Sequence, residues 1–139
     1  MQDQRILASI GGSDNLDPIA AAREAAVQSL EKAKNPKVAI VFSTIHYEKK
    51  FNEVLSEIKK TVNAPIVGCT GAAVLTPERI YVRGLGVLCL SGELNVGVGI
   101  GKNSRINPEM AGEQAMKWLY KLWENPAIKI RTELFSPQE

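Results

Sequence analysis

The chain has 139 residues, 45% hydrophobic and 23% charged, the proportions of a globular domain able to bury one core unaided. Its 17 Lys and Arg balance 15 Asp and Glu to a net charge of +2, no basic block stands out, and aromatics are only 6%; this argues against a nucleic-acid partner. No apolar run approaches the roughly 20 residues of a membrane span, Asp3 interrupts any secretory leader, and two cysteines are too few for a disulfide framework. The expectation is one cytoplasmic domain over 1–139, with reduced thiols and no membrane contact.

In chain order, "RILASIGG" is an apolar run ending in glycines and predicts a buried strand over residues 5 to 10. Asp17 before Pro18 supplies an N-cap followed by an N1 proline. Ile19, Ala22, Ala26, Leu30 and Ala33 then recur three or four apart, one face of a helix running to about Lys34 and stopped by Asn35-Pro36. "KVAIVFS" is apolar on both faces, as a central strand covered on each side would be. Phe51, Val54, Leu55, Ile58 and Val62 form a second helical stripe, and Pro65 leads into a third strand, "IVGC". Strand-helix units of this kind set the strands parallel through right-handed crossovers.

The second half reads differently. "RIYVRGLGVLCLSG" is a long β-branched run with bends possible at Gly84 and Gly86. After the turn "SGEL", Val96, Val98 and Ile100 alternate with Asn95, Gly97 and Gly99, which predicts an antiparallel hairpin with one glycine-striped face. Helix packing is the commoner use of such a face, and ligand approach the rarer one. Asn107-Pro108 opens a third helix along Ala111, Ala115, Trp118, Leu119 and Leu122. In the tail, Ile128, Ile130, Thr132 and Leu134 alternate with polar neighbours as an amphipathic strand, one that would suit pairing with another chain. The fold class is therefore α/β: a mixed sheet, parallel β-α-β-α-β in its first half and hairpin-like in its second, with helices packed on it.

Ligands in open α/β sheets bind beyond the carboxyl ends of parallel strands. Three polar loops are expected there: "GGSDN", "STIHYEK" and "GCTGA". Together they nominate Gly11, Gly12, Ser13, Ser43, His46, Tyr47, Gly68, Cys69, Thr70 and Gly71 as a small-ligand site. Their glycine amides would take an anionic group and their hydroxyls would add hydrogen bonds.

Cys69 with His46, the only histidine, is the enzymatic alternative, a nucleophile with its base in a cysteine-dependent hydrolase or transferase. "GCTG" lacks the spacing of a nucleophile elbow, and a small Cys at the end of a buried strand is ordinarily core, with Thr70 facing outward. A non-catalytic oligomerisation domain is the other alternative. One His and two separated thiols make no metal set, and neither a dinucleotide fingerprint nor a phosphate loop is present, so no cofactor is expected.

"GGSDNLDPIAAAREAAVQSL", "PKVAIVFSTIHYEKKFNEVLSEIKK" and "APIVGCTGAAVL", in this order, resemble the N-terminal part of FIST domains, the F-box and intracellular signal transduction family. The resemblance covers about residues 6 to 101 and is most specific at Ile66–Ala72 together with Val41–Tyr47. It implies a sensory domain of bacterial signalling proteins that binds small ligands such as amino acids and has no catalytic residues; a signalling partner domain or, through the tail strand, a homodimer is the expected partner. It also implies a longer N-terminal region, of which these residues are part. Ala73-Val74 stands where the family has Gly-Glu, which puts recognition of an amine in doubt.

Overall fold

The computed structural model describes residues 5–123. The chain divides into two compact units, Met1–Leu94 and Asn95–Glu139. The amphipathic tail segment, 127–135, lies outside the described residues.

The first unit holds β1 (Leu7–Ser13), α1 (Pro18–Ser29), β2 (Val38–Thr44), a 3-10 turn (Ile45–Lys50), α2 (Phe51–Thr61), β3 (Ile66–Gly71), β4 (Val74–Leu75), β5 (Ile80–Tyr81) and β6 (Leu85–Ser91). The four longer strands form one mixed sheet in the order β1-β6-β2-β3, and β4 pairs with β5 in a small separate ladder. β6 runs antiparallel to both β1 and β2, while β2 and β3 are parallel. β1, β2 and β3 therefore share one direction, and their carboxyl ends share one rim, as the sequence leads one to expect.

The second-half hairpin is built differently from the expectation. β6 pairs on both edges, with β1 and with β2, and residues 95–101 carry no ladder among the described residues. The antiparallel hairpin that does form is β4–β5. The long run predicted from Arg79 breaks into β5 and β6 at Gly84, whose φ of +151° only glycine adopts without strain.

One face of the sheet carries the core. Register places Ser9, Gly11 and Ser13 of β1 beside Cys89, Val87 and Leu85 of β6, and these beside Ala39, Val41 and Ser43 of β2. On that face lie Ala21, Ala22, Ala25 and Ala26 of α1 and Val54 and Ile58 of α2, all buried. Alanines let α1 sit close, and at Gly11 an added Cβ would land on the Ala25 carbonyl oxygen and 2.7 Å from Gln28 Cβ. Asp17 caps α1 through Ile19 N–H at 3.1 Å. The helix ends at Ser29, short of Lys34, because the chain turns back toward the sheet, where Lys32 N–H reaches Ser9 Oγ at 3.4 Å. Glu57 on α2, its side chain only 8% exposed, bonds both Arg23 of α1 and Lys60, tying the helices together.

The other face is only partly covered. The β4–β5 hairpin lies over its upper end, where two glycines leave room: a Cβ at Gly12 would meet the Tyr81 ring at 2.7 Å, and one at Gly86 would meet Val74 Cγ1 at 2.9 Å. Ile10 and Phe42 on this face remain 43% and 42% exposed. The double covering expected for β2 is thus incomplete among the described residues.

In the second unit, α3 (Pro108–Trp123) opens as predicted, with Asn107 Oδ1 accepting Met110 N–H at 3.0 Å. Added Cβ atoms at Gly99 and Gly101 would fall on the carbonyls of Ala115 and Ala111. The glycine stripe serves helix packing, the commoner of its two expected uses.

Candidate functional site

The ten residues nominated from sequence fall into three groups, and few of them lie in loops. Gly11, Gly12 and Ser13 belong to β1, which extends three residues past its predicted end. Ser43 lies in β2, His46 and Tyr47 in the 3-10 turn, and Gly68, Cys69, Thr70 and Gly71 in β3. Strand pairing consumes the amides of Gly11 and Ser13, and Gly12 N–H is bonded to Gln28 Oε1 at 3.1 Å. The anion cradle expected from the β1 amides is therefore absent.

At the rim itself the polar side chains satisfy one another. Ser13 Oγ donates to Glu24 Oε2 and accepts Asn15 N–H, while Asn15 Nδ2 donates to Glu24 Oε1 at 2.9 Å. Tyr47, buried to 1% exposure, donates its hydroxyl to the Asn15 carbonyl. Thr44, next to the nominated Ser43, is fully buried; its Oγ1 accepts Gly84 N–H at 3.0 Å and contacts His46 Nδ1 at 3.2 Å. Ser43 is buried and donates to the Thr44 carbonyl. A rim bound up in this way is a structural clasp joining β1, the 3-10 turn and β6.

The hydrogen bonds from Ser13 and Asn15 hold the Glu24 carboxyl below its ordinary value of 4.5, over a smaller opposing contribution from desolvation. A depressed folded-state pKa contributes stability above the unfolded value, lost as pH falls through the folded one. Stability is thus expected to be level above about pH 4.5 and to decline on further acidification. In urea titrations across pH, Glu24→Gln should be less stable than wild type at pH 6 and show a shallower acid decline.

Cys69 is exposed, contrary to the core position expected of it. Among the described residues β3 is a sheet edge, and Cys69 lies opposite Phe42 on the half-covered face. It makes no hydrogen bond with His46, whose Nδ1 is engaged by Thr44 instead. The buried thiol is Cys89, 3.3 Å from Ser29 Oγ, and burial pushes its pKa up, away from thiolate chemistry. The cysteine-dependent alternative gains no geometry from these positions. Among the described residues no cluster of three or more His, Cys, Asp and Glu is placed to hold a metal.

A cavity of about 560 Å³ opens along the outer edge of β1, within the size range of small-molecule sites. Its floor is β1 itself from Ala8 to Gly12, one wall is Gln28 at the end of α1 with Glu31 and Lys32 of the turn that follows, and the other is the β4–β5 hairpin with Thr76, Glu78 and Tyr81. The hairpin wall is braced by an ion pair from Arg79 to Asp14 and by the Arg79 guanidinium 4.4 Å over the Tyr81 ring. Glu31, Lys32 and Glu78 form no ion pair among the described residues. Of the ten nominated residues only Gly12 lines this cavity. Sequence reading missed the others because Gln28, Glu31 and Lys32 look like the solvated end of an alanine helix. One signal was available: a glycine at an open-face position of a strand implies something bulky opposite.

The first unit is thus a mixed α/β sheet with helices on one face and a polar cavity at its β1 edge, walled on one side by the β4–β5 hairpin. The FIST N domain matches residues 37–138, and the chain belongs to that family, whose members are sensory domains of signal transduction. β1 and all of α1 precede the matched segment. No curated protein matches the chain. Among the described residues no helix is long and apolar enough to cross a membrane.

Proposed function

We propose that the chain senses a small polar metabolite, such as an amino acid, in the cavity beside β1 and passes occupancy to a signalling partner domain or a second copy. The cavity carries this reading, because it holds a cation, Lys32, and two carboxylates, Glu31 and Glu78, which form no ion pair among the described residues. A zwitterion offers the complementary pair of charges. Membership of a sensory family supports binding over catalysis. A cytoplasmic setting accords with Cys69 and Cys89 both being free thiols.

The test is a thermal-shift screen of the full chain against amino acids and small carboxylates. A ligand at about 100 times its dissociation constant adds roughly 2.7 kcal/mol of stability. Lys32→Ala should abolish the shift, whereas His46→Ala and Thr70→Ala, at the rim and on β3, should retain it. A screen in which no compound stabilises the chain, or a shift lost in Thr70→Ala and kept in Lys32→Ala, would sink the reading.

A further inference from the structure

We infer that the cavity's ligand is a short peptide, bound in extended form as an added strand on β1; the inference rests on the reading of this cavity as the sensory site.

The backbone of β1 decides the class of ligand. In an antiparallel ladder, alternate residues turn both their N–H and C=O toward the partner, and the residues between turn theirs away. Gly12 N–H bonds the Gln28 side chain, so Gly12 belongs to the outward set, and by the period of two so do Ala8 and Ile10. The β6 side agrees. β2 turns Thr44 N–H to the Gly84 carbonyl while Ala39 N–H goes to Pro65 on the β3 side. The even residues of β2 therefore face β6 and use Gly86, Leu88 and Leu90, which leaves Val87 and Cys89 to bond β1 at Gly11 and Ser9. Ala8, Ile10 and Gly12 all line the cavity, so its floor is a row of backbone donors and acceptors.

At the Gly12 end Gln28 Oε1 already occupies the position a ladder acceptor would take. Ala8 and Ile10 have no such substitute among the described residues. Two successive outward residues lie about 6.6–6.8 Å apart at ordinary strand rise, a repeat that two alternate residues of a peptide match and a single amino acid does not span. α1 on one side of the sheet and the hairpin turn on the other make walls, so a strand entering the groove is flanked rather than left in solvent. This is strand addition, in which main-chain bonds supply affinity and alternate side chains supply selectivity. Glu31 and Glu78 outnumber Lys32 on those walls, which favours a peptide carrying a basic side chain.

The probes are blocked tripeptides Val-X-Val, acetylated and amidated, with X as Lys, Glu, Ser or Leu, set against free valine, lysine and glutamate. Backbone NMR of the full chain follows binding, and hydrogen exchange reports each amide. Peptide is expected to slow exchange at Ala8 and Ile10 about tenfold or more, as ladder bonds do, with the Lys peptide bound tightest. Ile10→Pro removes one outward donor at a position where an edge strand tolerates proline, and should weaken peptide binding at least about tenfold while Ser9 and Gly11 stay protected. Should that variant not fold, the double change Glu31→Lys and Glu78→Lys should reverse the preference to the Glu peptide. If free amino acids perturb Gln28 and Lys32 while no peptide protects Ala8 or Ile10, the peptide inference is overturned and the metabolite reading stands. If no probe perturbs the cavity, both are overturned.

Discussion

Gly11→Val is expected to destabilise the first unit by about 3 kcal/mol or more, at the upper end of the usual cost of overpacking. A Cβ at this position lands on the Ala25 carbonyl oxygen, with Gln28 Cβ at 2.7 Å and Ser29 N at 2.8 Å. Two of these three atoms are helix backbone, so no rotamer change relieves the clash, and α1 must lift from the sheet. Lifting it uncovers the alanine core and draws Gln28 away from Gly12, so the cavity wall goes with it. A loss of this size moves a urea midpoint by roughly 1–3 M. The control is Gly112→Ala in α3, where an added Cβ meets nothing within 4 Å. That change should be neutral or stabilising, since alanine is favoured over glycine in a helix by about 1 kcal/mol. An unchanged midpoint for Gly11→Val would show that α1 does not rest on β1 as described.

Tyr47→Ala is expected to cost about 4 kcal/mol, in the range for deleting a buried aromatic ring. Tyr47 is the bulkiest of the fully buried side chains and belongs to the same core as α1, α2 and β6. Tyr47→Phe separates the ring from the hydroxyl. It should cost only about 1 kcal/mol, the ordinary worth of one hydrogen bond, here the one to the Asn15 carbonyl. The pair has a second readout at alkaline pH. Burial raises the Tyr47 pKa above its ordinary 10.0, with the nearby Arg83 opposing more weakly. A raised folded-state pKa contributes stability that is present below pH 10 and lost as pH rises through the folded value. Wild type should therefore lose stability above pH 10 more steeply than Tyr47→Phe. Equal costs for Ala and Phe, or parallel alkaline profiles, would remove Tyr47 from the core.

Most of the element plan was legible before any coordinates. The cap-and-proline openings at Asp17-Pro18 and Asn107-Pro108 act within a few residues of themselves, so local chemistry suffices to place those helix starts. Of the apolar stripe Phe51, Val54, Leu55, Ile58 and Val62, the residues Val54, Ile58 and Val62 are buried as their spacing demands, Phe51 is partly buried, and Leu55 is 38% exposed. Errors arose where a neighbour distant in sequence decides. "GGS" reads as a loop by composition, yet it is strand because β6 pairs with it through Ser13. Cys69 reads as core by type, yet it is exposed on β3, which is an edge of the sheet among the described residues. "NVGVGIG" alternates as a strand should, but the antiparallel pairing of β6 went to β1 and β2.

The candidate site follows the same division. Polar residues at the strand ends were found, and their common rim was correctly inferred from parallel direction. Whether those residues were free to meet a ligand depended on Glu24 and Asn15, whose partnership with Ser13 spans up to 11 residues. The cavity depended on more distant neighbours still, with α1 and the β4–β5 turn meeting across the edge of β1. The α/β class, the helix starts, the shared direction of the first three strands and the family all follow from the order of residues. The central position of β6, the polar groups already satisfied at the rim, and the β1 edge left open among the described residues emerge only from the folded sheet. Periodicity and capping act locally, whereas strand order and hydrogen-bond satisfaction are properties of the assembled sheet.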